Sequence, residues 1–208
     1  MEQKKYKIIY ADPAWSYNKK VGQGIADDIY QTMELEDIKR LPIKSLSEED
    51  SVLFIWGTFP MLKECLEVIE AWGFTYKTCA FNWIKLNKNG TPFFGIGRYT
   101  KSNSEVCFLA IKGKGLDVKS NYISQVVMTT KDKHSKKPNR IYSLIEELYG
   151  DVERIELFAR ERRQGWDVWG NEAPNHTQAL LTQGHLIATK RENQGFSPNP
   201  KSEILDFS

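Results

Sequence analysis

The chain has 208 residues, of which 40% are hydrophobic and 27% are charged, an ordinary composition for a globular protein. This length predicts one domain, with or without a tail. No apolar run reaches the ~18 residues that a membrane-spanning helix needs, and the N-terminal residues show no signal-peptide pattern. Three cysteines without a CxxC pair argue against a disulfide scaffold and against a cysteine-based zinc site. We therefore expect a protein of the reduced, intracellular compartment, the cytoplasm.

The formal net charge of +2 is close to neutral, but the charges are unevenly distributed. Acidic residues dominate between Gly24 and Trp72, whereas lysine and arginine dominate two later stretches, 85–119 and 131–140. Such a pattern is typical of solvated loops. The alternative is a molecule with one basic face for a phosphate backbone.

Segments with strand and helix patterns alternate along the chain. The strand-like segments are 6–11, 51–56, 74–85, 105–111 and 152–159, and the helix-like segments are 34–41, 60–72 and a stretch that begins at Pro138. This alternation predicts an α/β fold with a mostly parallel sheet. After Glu172 the periodicity weakens, so we expect a domain over 1–172 and a C-terminal arm over 173–208 that is partly disordered when free.

Two polar clusters follow the first and the last of these predicted strands. Asp12-Pro13-Ala14-Trp15 follows the first strand, and Arg160-Glu161-Arg162-Arg163 follows the last. In open α/β sheets the ligand crevice lies outside the carboxyl ends of the strands, so the two clusters are predicted to share one cleft. The alternative is that Asp12-Pro13 only begins a turn and that Trp15 fills the core.

The order of these motifs resembles the MT-A-type adenine-N6 methyltransferases, and specifically their short prokaryotic and phage members. That family has Asp-Pro-Pro-Trp after its first strand, where this chain has Asp12-Pro13-Ala14-Trp15 with alanine in place of the second proline. The other shared segments are Tyr30-Gln31-Thr32-Met33, the LFIW strand, Ala71-Trp72-Gly73-Phe74, Trp83-Ile84-Lys85, Asn103-Ser104-Glu105, His134-Ser135-Lys136-Lys137-Pro138, and a closing block of Glu156-Leu157-Phe158-Ala159-Arg160, Gly165-Trp166 and Gly170-Asn171-Glu172. Each segment is weakly specific, but together, in the right order over residues 6 to 172, they are highly specific.

The resemblance implies a Rossmann-like class I methyltransferase fold that uses S-adenosylmethionine as cofactor. Because the catalytic motif precedes the cofactor-binding block, it also implies the permuted order of the amino-methyltransferases. The cofactor-binding residues carried over from the family are Asp12, Arg160, Asn171 and Glu172. Gly95-Ile96-Gly97 is a lone GxG in a loop and receives no cofactor role.

The adenine amine is a poor nucleophile because its lone pair is delocalised into the ring. Two acceptors aimed at its hydrogens free that lone pair, and the carboxylate of Asp12 and the carbonyl of Pro13 are the predicted pair. Trp15 is predicted to stack on the base, and Tyr30 to wall its pocket. No metal is required, since methyl transfer is direct and depends on positioning and electrostatics.

The predicted substrate is adenine in DNA, with RNA as the alternative. A duplex target requires the adenine to be extruded from the stack. The candidates for contact with the nucleic acid are loop cations, namely Lys19, Lys20, Arg98, Lys101, Lys136 and Lys137. A second alternative is a non-catalytic subunit that only binds nucleic acid. A homodimer or a partner subunit is compatible with the family resemblance, and no membrane association is expected.

Overall fold

The computed structural model describes residues 4–16, 32–97, 99–130 and 136–170. Across these ranges, no helix combines the length and the apolar composition needed to cross a membrane.

A single sheet of seven strands organises the described part of the chain. The strands are β1 (Tyr6–Ala11), β2 (Ser47–Gly57), β3 (Thr75–Leu86), β4 (Ser104–Lys112), β5 (Val126–Thr130), β6 (Arg154–Leu157) and β7 (Asp167–Trp169). They lie in the order β5-β3-β4-β2-β1-β6-β7, and every neighbouring pair is parallel except the two pairs that β4 makes. The predicted α/β class with a mostly parallel sheet is confirmed.

Helices cover both faces of this sheet. The helices are α1 (Leu35–Lys39), α2 (Ile43–Leu46), α3 (Leu62–Ala71) and α4 (Arg140–Tyr149), with a 3₁₀ turn at Phe59–Met61 before α3. Ile9 on β1 packs with α1, α2 and α3, whereas Ile8 and Tyr10 pack with α4 on the opposite face. Because β1 is buried on both faces, it reads in sequence as a continuous apolar run.

The structure differs from the predicted elements mainly at the C-terminal end of the domain. The strand predicted over 152–159 is only Arg154–Leu157, because Phe158 has a positive φ of 63° that ends it. This is therefore not the last strand, since β7 follows and pairs with it in parallel. The short strands β5 and β7 were not predicted, because three to five residues are too few to show a clear periodicity.

The sheet topology brings several chain segments to one edge. Strands β1, β2, β3, β6 and β7 all end at this edge, which we call the carboxyl edge, while the antiparallel strand β4 begins there. Asp12 follows β1 directly, and the last residue of β1, Ala11, is paired with Ile55 on one side and with Leu157 on the other. The first predicted cluster therefore lies between the ends of β2 and β6.

Candidate active site

Backbone hydrogen bonds hold the Asp12-Pro13-Ala14-Trp15 segment against the carboxyl edge. The N–H of Trp15 donates to the carbonyl of Pro13 at 2.9 Å, and the N–H of Met33 donates to the carbonyl of Ala14 at 3.0 Å. The indole Nε1 of Trp15 donates to the backbone carbonyl of Trp56 on β2 at 3.1 Å. These three bonds fix the turn that follows β1 and thereby the position of Asp12.

The carboxylate of Asp12 is bound by a lysine from a distant part of the chain. Lys137 Nζ donates to both Asp12 oxygens at 2.7 Å, and it lies 3.3 Å from the carboxylate of Glu105. Lys85, at the end of β3, pairs with the other oxygen of Glu105. The side chain of Lys137 is only 10% exposed and its ammonium lies 5.3 Å from the centre of the Trp56 ring. We call Asp12, Lys137, Glu105 and Lys85 the ionic cluster.

The four charges of the ionic cluster alternate in sign, and this alternation shifts the pKa values of Asp12, Glu105 and Lys137. Burial raises the pKa of Asp12, and the ammonium of Lys137 opposes that rise. Burial alone would raise the pKa of Glu105, but Lys137 and Lys85 outweigh it and the pKa is lowered. Burial would lower the pKa of Lys137, but Asp12 and Glu105 raise it. Lys137 is therefore a permanent cation, and it favours the ionised form of Asp12.

An ionised Asp12 beside the Pro13 carbonyl gives the site free acceptor capacity. An ionised carboxylate has about four lone-pair positions, and Lys137 occupies two of them. The Pro13 carbonyl has two lone pairs and accepts one bond, from the Trp15 N–H. The arrangement can therefore accept hydrogen bonds from a further donor such as an amine.

The segments after β6 and β7 form the adjoining part of the carboxyl edge. Arg160 is exposed there, and its guanidinium lowers the pKa of Asp12, although less than Lys137 does. Gly170 follows β7 and lies close to the preceding loop, so that a Cβ at this position would fall 2.3 Å from the carbonyl oxygen of Ala159. The two loops are thus in direct backbone contact, and only glycine permits this approach.

A second group of polar side chains lies next to the site, between α4 and β6. The hydroxyl of Tyr142 donates to Glu156 at 2.8 Å, and the guanidinium of Arg163 lies 3.9 Å from the centre of the Tyr142 ring. Burial raises the pKa of Glu156 to about 7, and the nearby charge of Asp12 adds to this effect. Glu156 is therefore a buried carboxyl group that titrates near neutral pH.

The predicted site residues have different positions in the structure. Asp12, Pro13 and Arg160 lie at the carboxyl edge as expected. Trp15 is 8% exposed and packs in the core, so its predicted stacking on a base stays a prediction. Lys137, predicted to contact a phosphate backbone, instead neutralises Asp12 and Glu105 inside the site.

The remaining predicted residues are surface cations or lie outside the described part of the chain. Lys136 is partly exposed and pairs with Glu161 at 2.9 Å, and Lys101 is exposed. Several predicted residues fall outside the described ranges, and these are Tyr30, Lys19, Lys20, Arg98, Asn171, Glu172 and the arm over 173–208. Among the described residues, no group of three or more His, Cys, Asp or Glu side chains is arranged to hold a metal ion.

The sequence analysis missed the ionic cluster as a functional unit. Its members Lys85, Glu105 and Lys137 all lie in segments that carry the family resemblance, namely the Trp-x-Lys, Asn-x-Glu and His-Ser-x-Lys-Pro motifs. These motifs are the signal that could have identified them, because Lys85 ends a strand that runs toward the carboxyl edge, where the ligand crevice of an open α/β sheet lies.

Comparison with known proteins supports the same conclusion as this geometry. The family model of MT-A70 matches residues 6–172. The chain is 33% identical over 209 residues to the type II methyltransferase M.MunI of Mycoplasma sp, a match that covers 91% of this chain and 87% of that protein. It is 26% identical to the human N(6)-adenosine-methyltransferase catalytic subunit METTL3, a match that covers 81% of this chain and 28% of METTL3. It is also 26% identical to the MT-A70-like N(6)-adenosine-methyltransferase of Arabidopsis thaliana, over 80% of this chain and 24% of that protein. The chain therefore belongs to the MT-A70 family and is a methyltransferase.

Proposed function

We propose that this protein transfers a methyl group from S-adenosylmethionine to the N6 amine of adenine in DNA. One observation carries the proposal: at the carboxyl edge Lys137 binds both oxygens of the Asp12 carboxylate, and the next residue, Pro13, has a carbonyl that accepts a single backbone hydrogen bond, from Trp15. This pair of acceptors matches the two hydrogens of an exocyclic amine.

In this mechanism Asp12 and Pro13 each accept a hydrogen bond from the adenine amine. Accepting both hydrogens draws the nitrogen toward a tetrahedral geometry and frees its lone pair for attack. An ionised Asp12 accepts most strongly because both of its oxygens are acceptors, and Lys137 supports that state. S-adenosylmethionine, when bound, supplies an electrophilic methyl group, so that catalysis by the protein consists of positioning and electrostatic stabilisation.

The residues at the carboxyl edge fit this cofactor. Asp12 offers an anion for the ammonium group of the methionine moiety, and Arg160 offers guanidinium donors. Gly170 and Ala159 are in close contact, so that backbone rather than side chain lines the carboxyl edge at this point. We propose that Asn171 and Glu172, which follow directly, complete the cofactor site, as the family resemblance implies.

The order of the strands supports the permuted arrangement that we propose. The catalytic motif follows β1, the first strand in the chain, whereas Arg160 follows β6, which comes near the end of the domain. The two strands are nevertheless hydrogen-bonded neighbours in parallel. The catalytic motif and the cofactor block are therefore distant in sequence and adjacent in space.

We propose DNA as the substrate because the relative of comparable length is the type II methyltransferase M.MunI, which matches over 87% of its length. RNA is the second candidate, since the relatives named N(6)-adenosine-methyltransferases match over about a quarter of theirs.

The test uses S-adenosylmethionine with a tritiated methyl group. The purified protein is offered duplex DNA, single-stranded DNA and RNA, and the products are digested to nucleosides. Label in N6-methyldeoxyadenosine is expected, and label only in N6-methyladenosine would replace DNA by RNA. Asp12→Ala should abolish labelling while leaving the fold intact, and Asp117→Ala, at an exposed carboxylate beyond the opposite end of β4, is the matched control. No label on any substrate together with no cofactor binding would contradict the proposal and favour a non-catalytic subunit.

A further inference from the structure

The loop between β3 and β4, residues 87–103, extends from the carboxyl edge directly beside the ionic cluster. Its two ends continue the strands that carry Lys85 and Glu105. Its backbone is hydrogen-bonded: the N–H of Phe93 donates to the carbonyl of Lys85 at 2.8 Å, and the N–H of Gly95 donates to the carbonyl of Ser102 at 2.7 Å. The loop is therefore a built extension of the hairpin.

The two glycines of Gly95-Ile96-Gly97 make this loop shape possible. A Cβ on Gly95 would fall 2.5 Å from the carbonyl oxygen of Ser102, and a Cβ on Gly97 would fall 1.9 Å from that of Thr100. No side chain fits at either position without moving the backbone. The GxG motif, which has no cofactor role, thus folds the loop back on itself and leaves Ile96 between the two close approaches.

The folded loop presents large apolar side chains to solvent. Ile96 is 98% exposed and Phe94 is 67% exposed. Exposed apolar residues that stand singly need no explanation, but these two flank Gly95 on a loop whose backbone is fixed by the close approaches at Gly95 and Gly97. The segment 87–103 also contains three cations, Lys88, Arg98 and Lys101, and no Asp or Glu. An apolar tip within a purely cationic segment matches a nucleic acid, which offers base faces and phosphates together.

We propose that the 87–103 loop binds the DNA strand around the target adenine, with Phe94 and Ile96 packing against the bases that flank it. When the adenine leaves the stack to reach Asp12, the gap exposes the faces of the neighbouring bases, and an apolar side chain can fill it. Lys88 and Lys101 are placed to contact the adjacent phosphates. This inference rests on the proposed function, because it requires a nucleic-acid substrate at the carboxyl edge.

The test compares Phe94→Ala and Ile96→Ala with Tyr122→Ala. Tyr122 is 94% exposed and lies on the segment between β4 and β5, which contacts the C-terminal end of α4 and not the carboxyl edge. The methylated sequence is first mapped on plasmid DNA with the wild-type protein. Two duplexes are then made, one with a paired target adenine and one with the same adenine opposite an abasic site. A third duplex has 2-aminopurine at the target, whose fluorescence reports unstacking.

We expect both loop variants to raise KM for the paired duplex by about fivefold or more, and to weaken the 2-aminopurine signal. The duplex with the unpaired adenine should restore most of the loss, because extrusion no longer needs support, and Tyr122→Ala should match the wild type on every substrate. A purely structural defect would reduce activity on both duplexes equally.

Three results would overturn the inference. The first is wild-type kinetics in Phe94→Ala and Ile96→Ala, and the second is an equal loss on the paired and unpaired targets. The third is a change of oligomeric state in these variants by light scattering, which would assign the loop to a protein interface. Failure of the proposed function is distinguished from all three, because it appears as absence of DNA methylation by the wild-type protein itself.

Discussion

Lys137→Gln tests whether the ionic cluster holds Asp12 in its working state. The substitution removes a cation that contacts both Asp12 oxygens at 2.7 Å and lies 3.3 Å from Glu105. Glutamine keeps a hydrogen-bond donor on a side chain that is one bond shorter, and it carries no charge. Asp12 then loses its neutralising partner, while Glu105 keeps only Lys85.

The size of the effect follows from the contacts that are lost. A hydrogen bond to a charged group contributes about 1.5–3 kcal/mol, so the loss of one such contribution at Asp12 lowers kcat/KM by roughly 10- to 100-fold. Burial raises the pKa of Asp12 and Lys137 opposes that rise, so removing Lys137 raises this pKa further. Methylation needs ionised Asp12, and the fall of activity on the acid side should therefore begin at a higher pH in the variant.

The assay measures kcat/KM for methyl transfer between about pH 5 and 9, so that the loss of activity on the acid side can be compared between the variant and the wild type. Lys136→Gln is the matched control, because Lys136 is the adjacent lysine, is 34% exposed and pairs with Glu161 rather than with Asp12. Lys137→Arg should recover part of the activity, since it restores the charge. Circular dichroism at each pH separates lost catalysis from lost fold. If Lys137→Gln and Lys136→Gln had the same kcat/KM and lost activity at the same acidic pH, the role assigned to the ionic cluster would be refuted.

Three further predictions address the neighbouring features. Glu156→Gln, which keeps an acceptor for the hydroxyl of Tyr142, should raise the free energy of unfolding at pH 8 by about 2–3 kcal/mol and have little effect at pH 4, as measured by urea unfolding. The reason is that burial raises the pKa of Glu156 to about 7, so that the folded protein holds a proton that the unfolded chain releases above about pH 4. The free energy of unfolding of the wild type therefore falls as the pH rises from about 4 to about 7. The same pH dependence in both proteins would contradict this prediction. Gly170→Ala should weaken cofactor binding in calorimetry, because its Cβ would fall 2.3 Å from the carbonyl oxygen of Ala159, and unchanged affinity would exclude the loop contact as part of the site. Lys101→Gln should make the affinity for duplex DNA less dependent on salt by about one phosphate contact, and an unchanged slope would remove Lys101 from the interface.

The positions of the main elements followed from local sequence patterns. β1 is an apolar run that ends at Asp12-Pro13, and α3 has apolar residues at helical spacing that Gly73 closes. Both signals are local, and the first of them predicted where β1 ends and therefore where Asp12 lies. The general rule that ligands bind beyond the carboxyl ends of parallel strands then indicated the edge of the sheet where Asp12 and Arg160 both lie.

The ionic cluster could not be predicted in this way, because it depends on contacts between distant segments. Lys137 and Asp12 are separated by 125 positions, and Lys85 and Glu105 come from opposite ends of the 87–103 loop. A lysine in a basic stretch is most simply assigned to solvent or to phosphate. Only the strand order, which places β4 antiparallel between β3 and β2, brings Glu105 to the carboxyl edge and gives Lys137 two buried carboxylates to bind.

Trp56 on β2 connects the catalytic motif to this cluster. Its backbone carbonyl accepts from the indole of Trp15, its own Nε1 donates to the hydroxyl of Tyr10 at 2.7 Å, and its ring lies under the ammonium of Lys137. A residue that the sequence pattern assigns to the core therefore contacts the turn after β1, β1 itself and the cation that neutralises Asp12. Because all three contacts are buried and made from a central strand, displacement of the Trp56 ring would move Asp12 and Lys137 together. The acceptor geometry at the carboxyl edge is thus a property of the sheet core, to which the 87–103 loop is joined at the ends of β3 and β4.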